Sequence, residues 1–154
     1  MMTSVQKLAL IMLVFLISHH SNASSGLEIE EAWIAEAPPV SKVMAAYMEI
    51  ENETGHDRQA IAMQCDEFER AEFHRTADKE GVARMEHQPS LTIRAHSELE
   101  LEPGGYHIML FNPRRRLRAG DETRCSMTFD DQSSVEFALT VKKTLVEDHS
   151  HHHH

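Results

Sequence analysis

Residue-by-residue alternation of polar and apolar side chains, interrupted by proline and glycine turns, is what most constrains this chain. Glu98-Leu99-Glu100-Leu101-Glu102 alternates strictly, which is the period of a half-buried strand. Pro103-Gly104-Gly105 then turns the chain into Tyr106 to Phe111. Leu27-Glu28-Ile29-Glu30 alternates too, and Trp33-Ile34 extends it until Pro38-Pro39 stops pairing. Met44 to Ile50, Arg58 to Met63, Arg124 to Phe129 and Ser134 to Val141 read as further strands. Sustained helical periodicity is missing after the N-terminal segment, although Asp66 to Phe73 has room for a helical turn or two. Many short strands at turn-separated spacing imply an all-β fold, a single-domain β-sandwich or Greek-key barrel.

The N-terminal segment stands apart. Lys7 precedes an apolar run, Leu8 to Ile17, followed by polar Ser18 to Asn22 and then Ala23. A basic start, a short apolar stretch and a small-residue exit match a secretory signal peptide over residues 1–23. The run is well short of the ~20 apolar residues that span a bilayer, so no stable membrane insertion is expected after cleavage. Residues 24–143 then form one β domain, and 144–154 a disordered histidine-rich tail. His149 and His151 to His154 fit either a purification tag or a native tail that captures Cu(II) or Zn(II).

The formal charge of −10 disfavours phosphate backbones, so nucleic acid is not an expected partner. Arg114, Arg115, Arg116 and Arg118 are a local exception, read as a solvated loop with an acid-docking patch as the alternative. Cys65 and Cys125 are the two cysteines. In an exported protein a bond between them would stabilise by about 4 kcal/mol in the chain-entropy model. Whether they meet is not fixed by sequence, and two buried small apolar residues is the other reading. Asn52-Glu53-Thr54 has the form of a glycosylation acceptor, relevant only in a eukaryotic secretory pathway.

Four residues carry the chemistry: His74, Met85, His107 and Met109. Two imidazoles and two thioethers make a neutral, soft-leaning donor set, which suits Cu(I) better than Zn(II), Mg(II) or Ca(II). His107 and Met109 are two apart on one strand and so share a face, while Tyr106, Ile108 and Leu110 face the other way, toward the core. A hairpin centred on Asp78-Lys79-Glu80-Gly81 would pair Ala77 with Val82 and His74 with Met85, with Cβ atoms about 5 Å apart. The His/Met face would then lie near solvent. His87 shares the face of Met85 and reads as plain surface, with an extra ligand as the alternative. His56 and His96 read as solvated turn residues, and Met44, Met48, Met63 and Met127 as core.

These residues also carry a resemblance. His74, ten residues, Met85, twenty-one residues, then His107-Ile108-Met109 is similar to the H-x10-M-x21-H-x-M signature of the periplasmic copper chaperones called PCuAC. Ala32-Trp33, Pro38-Pro39, Ala45-Ala46-Tyr47 and Leu101 to Leu110 resemble the same family, over about Leu27 to Lys142. The resemblance implies a cupredoxin-like barrel that binds Cu(I) through the four side chains, in a bacterial periplasm. It implies delivery of copper to cytochrome oxidase assembly, at the CuA centre or through a Sco-type partner. Many relatives carry a methionine two residues past the first histidine, where this chain has Thr76. The arginine run from Arg114 is also more basic than the family pattern.

The implied action is ligand exchange by a monomeric carrier, not catalysis. Metal binding requires His74 and His107 deprotonated, so affinity should fall in acid. A blue-copper electron carrier is one rival, but needs a thiolate beside two imidazoles, and no histidine follows Cys125 before the tail. An enzyme is another; His-Glu-x-x-His and Gly-x-Ser-x-Gly are both missing from the sequence. A metal-free interaction sandwich is the third.

Overall fold

The computed structural model describes residues 26–143, so the signal segment 1–23 and the tail 144–154 lie outside the described residues. The described residues form ten strands and no helix: β1 (Leu27–Ala35), β2 (Val43–Asn52), β3 (Arg58–Cys65), β4 (Phe68–Lys79), β5 (Val82–Gln88), β6 (Leu91–Ile93), β7 (Ser97–Leu101), β8 (Tyr106–Pro113), β9 (Glu122–Phe129) and β10 (Ser134–Lys142). One sheet orders them β5-β4-β8-β7-β2-β1-β10-β9-β3-β6, with β8 also pairing β2. The sheet folds over so that β3 lies against β4 and β6 against β7. Neighbours distant in sequence, such as β1 beside β10, give the crossovers expected of a Greek-key plan.

Alternation dictates the core. Along β2, Met44, Ala46, Met48 and Ile50 are buried, as are Ile108 and Leu110 on β8. Cys125, Met127 and Phe129 on β9 and Leu139 and Val141 on β10 close over them. Each large side chain so buried contributes about 1.5–3 kcal/mol of transfer free energy. The methionines read as core, Met44, Met48, Met63 and Met127, are at most 5% exposed.

Three local expectations are corrected or resolved. Asp66 to Phe73 holds no helical turn: Asp66 and Glu67 form a tight turn, and β4 begins at Phe68. Phe68 at its start and Phe73 in its middle are both buried in the core. Cys65 and Cys125 oppose each other directly across β3 and β9 and form a disulfide, with Cα atoms 4.1 Å apart. Asn52 is fully buried, its amide hydrogens shared among the carbonyls of His56, Ile93 and Arg94 at 2.9–3.0 Å. Its Oδ1 accepts from Thr54 N and Oγ1. The Asn-Glu-Thr triplet is therefore a structural lock between the end of β2 and β6, not an accessible acceptor.

The arginine-rich loop is anchored. Leu117 is buried, and Arg115 pairs with Glu67 at 3.1 Å and Asp121 at 3.2 Å. Those carboxylates raise the Arg115 pKa, the Glu67 hydrogen bond most of all.

Candidate metal centre

Strand β4 lies between β5 and β8, and its outward face carries the candidate ligands. Phe73 opposes Ile108 on the core side, so His74 and His107, one residue along, oppose each other on the other face. Their ring centres are 6.0 Å apart and tilted by 32°. Metal–nitrogen bonds of ~2 Å on both rings place such centres roughly 5–6.5 Å apart, so one ion can bridge them.

Hydrogen bonds fix what each ring offers. Nε2 of His74 lies 3.0 Å from a carboxylate oxygen of Glu72 and must donate there, since the carboxylate only accepts. Nδ1 of His107 likewise donates to the Gly105 carbonyl at 3.2 Å. In the neutral rings the other nitrogens, Nδ1 of His74 and Nε2 of His107, carry bare lone pairs. Both are buried and have no hydrogen-bond partner. An unpaired buried acceptor costs about 1–3 kcal/mol, and two of them on opposed side chains are an arrangement that a metal ion satisfies. Donation of the second ring nitrogen to a carboxylate or carbonyl is also how metal-binding histidines are held. The His74 hydrogen bond and the Arg70 guanidinium, 2.8 Å away, hold the Glu72 carboxyl below the ordinary carboxylate range.

The methionines sit differently. Met109 is half-buried on β8 opposite Glu72, so it flanks His74 diagonally. Met85 is 65% exposed and opposes Thr76, not His74. The expected pairing of His74 with Met85 is thus displaced by two residues. Glu80 and Gly81 form the turn alone, both with positive φ (58° and 78°), as a type I′ hairpin requires. A shift of two keeps every side chain on its expected face. Met85 therefore remains on the His74 face, at the diagonal distance of ~7–8 Å that long side chains still span.

His74 is the hub of this face. His107 and His87 oppose it directly on either side, and Met85 and Met109 occupy opposite diagonals. The face is not uniformly near solvent, because His107 is only 4% exposed. Ala45 opposes Met109, so Tyr47, two residues on, falls in the row of His107 beside its ring partner Trp33. Glu72 and the Gly105 carbonyl were not singled out by sequence. Glu72 could have been: a carboxylate two residues before a histidine on one strand shares its face.

Ten strands, no helix among the described residues and this connectivity define a cupredoxin-like all-β domain. The chain belongs to the family described as "Putative lipoprotein LpqE-like", whose model matches residues 27–141. Lxx21020 of Leifsonia xyli subsp. xyli (strain CTCB07), which bears the same lipoprotein description, is 29% identical over 120 residues, covering 77% of this chain and 71% of its own. The solution structure of CuI-DR1885 from Deinococcus radiodurans is 27% identical with a TM-score of 0.64, covering 80% of this chain and 85% of its own. The copper-bound PCuAC domain from PmoF2 shares the fold at 17% identity and TM-score 0.66, over 77% and 94% of the two chains.

Proposed function

We propose that this protein is an exported bacterial Cu(I) carrier of the periplasm, not an enzyme. It holds the ion through His74, Met85, His107 and Met109 and releases it by ligand exchange to copper-accepting proteins of cytochrome oxidase assembly. One observation carries the reading: the opposed rings of His74 and His107 each present a buried, unpartnered nitrogen. Exposed Met85 and half-buried Met109, on opposite diagonals of His74, add the soft donors that favour the monovalent ion. The fold shared with a Cu(I)-loaded relative at 27% identity supports the same cargo.

Residues of the chain do the positioning. Glu72 and the Gly105 carbonyl hold the two rings so that the lone pairs face outward from their hydrogen bonds, which removes the need to reorganise on binding. Exposed Met85, on the sheet-edge strand β5, is the donor an incoming partner can displace first. A blue-copper centre is not available, because both cysteines are joined to each other and neither offers a thiolate. For the same reason neither is free to carry a thioether lipid.

Competition of the reduced, Cu(I)-loaded protein against a chromophoric Cu(I) chelator tests the reading. One Cu(I) per chain is expected, lost in His74→Ala and His107→Ala and weakened in Met109→Ala. Full binding in the double histidine variant would overturn it.

A further inference from the structure

We propose that His87 is a third imidazole ligand of the same centre and equips it to hold Cu(II) as well as Cu(I). The inference rests on the copper-carrier reading and extends it to a second oxidation state.

The hairpin register carries it. His87, not Met85, is the direct β5 partner of His74. The two rings meet edge to face, with centres 5.6 Å apart, closer than those of His74 and His107. Three imidazoles thus form one row across three neighbouring strands, His87 on β5, His74 on β4 and His107 on β8. Two of the three already present unpartnered nitrogens, and His87 is exposed on an edge strand, free to turn its ring toward the ion. Its Cβ lies about 5 Å from that of His74, its directly opposed neighbour. The nitrogens of the three rings do not all lie within 4.8 Å of one another as placed, so the His87 ring has to turn inward on binding.

Donor chemistry then separates the two ions. Thioethers favour Cu(I), whereas imidazole nitrogens also suit Cu(II) in tetragonal arrangements. A face with three nitrogens in a row and sulfur on the diagonals offers each ion its preferred set. Cu(II) would draw on His87, His74 and His107, and Cu(I) on the two thioethers with His74 and His107.

The test uses the full chain with His149, His151, His152, His153 and His154 each replaced by Ser, so that Cu(II) reports on the sheet alone. In this background, Cu(II) paramagnetic resonance should show coupling to three nitrogens, falling to two in both His87→Ala and His87→Gln. Cu(II) affinity should fall by at least the ~10-fold typical of losing even a supporting residue at a metal site, while Cu(I) affinity is retained. Unchanged nitrogen coupling and Cu(II) affinity in both variants would overturn the proposal, as would a parent that binds Cu(I) but not Cu(II). A parent that binds neither ion would instead sink the carrier reading on which it rests.

Discussion

His74 on β4 directly opposes His107 on β8, and the unpartnered nitrogens of the two rings, Nδ1 and Nε2, are both buried. That relationship sets function against stability. In the copper-free protein the bare nitrogen of His107 is a penalty without return. Its other nitrogen donates to the Gly105 carbonyl, but that carbonyl also accepts from Thr76 N at 3.0 Å. His107→Leu therefore leaves no backbone group unpaired. We expect the copper-free variant to gain about 1 kcal/mol in urea unfolding and to lose all stabilisation by added Cu(I). A destabilised variant would show that the His107 ring is held for its packing.

On the copper-carrier reading, Glu72 acts on the ion through His74. Its carboxylate fixes the ring tautomer that leaves Nδ1 bare. Glu72→Gln keeps the shape but can present an amide N–H to the ring, turning the bare nitrogen the wrong way. Cu(I) affinity should fall about 10- to 100-fold, the usual cost of removing such a partner, with the unfolding midpoint of the copper-free protein little moved. Chelator competition beside a denaturation curve decides it. An affinity equal to the parent would remove Glu72 from the centre.

The fold was legible where alternation is strict. Glu98 to Leu101 and Tyr106 to Phe111 read as strands with the correct inward faces, and Ile108 and Leu110 are fully buried. The shared face of His107 and Met109 followed from the same period. The hairpin register was not legible, because a two-residue turn with positive φ at both positions normally announces itself by Asn or Asp before Gly. Here the first position is Glu80, with φ of 58°, and nothing in a glutamate signals that conformation. Asp78 then drew the turn one residue too early, although its carboxylate does cap the turn by accepting from Gly81 N at 2.9 Å. The three-residue strand β6 is too short to show a period. The burial of His107 depends on its neighbours across the sheet, which no local pattern records.

The disulfide belongs to a different part of the sheet from the candidate ligands. Cys65 and Cys125 join β3 to β9 and close a sequence separation of 60 residues. Loop closure of that length restricts the unfolded chain by about 4 kcal/mol in the chain-entropy model. Replacing both cysteines by Ala should lower unfolding stability on that scale. Cu(I) affinity, measured well below the unfolding transition, should be unchanged, since β4, β5 and β8 keep their pairing. A loss of affinity equal to the loss of stability would show that the two halves of the sheet are coupled.

A carboxylate patch lies on the outward face of β1, β2 and β7. Glu51 lies between Glu28 and Glu98, and Glu49 between Glu30 and Glu100. Charge on Glu98 raises the pKa of Glu49, and loss of hydration followed by the charge of Glu53 raises that of Glu51. For an acid with a raised folded pKa, the stabilising contribution is fully present below the ordinary carboxylate value and is lost as pH rises through the raised one. Glu72, Glu86, Asp121 and Asp131 are shifted the other way, each by hydrogen bonds and neighbouring cations. Their contribution is present above the ordinary value and is lost as pH falls through the lowered one. Stability should therefore fall as pH rises through the raised values of Glu49 and Glu51, and fall again in acid as pH drops through the lowered values of the other four. Added salt should flatten the upper limb by screening the exposed patch. Urea midpoints across this range, compared between the parent and Glu49→Gln, isolate the patch from every other titrating group. The variant should lose part of the decline on the upper limb, and identical slopes in the two proteins would show that the ladder of glutamates exerts no net repulsion.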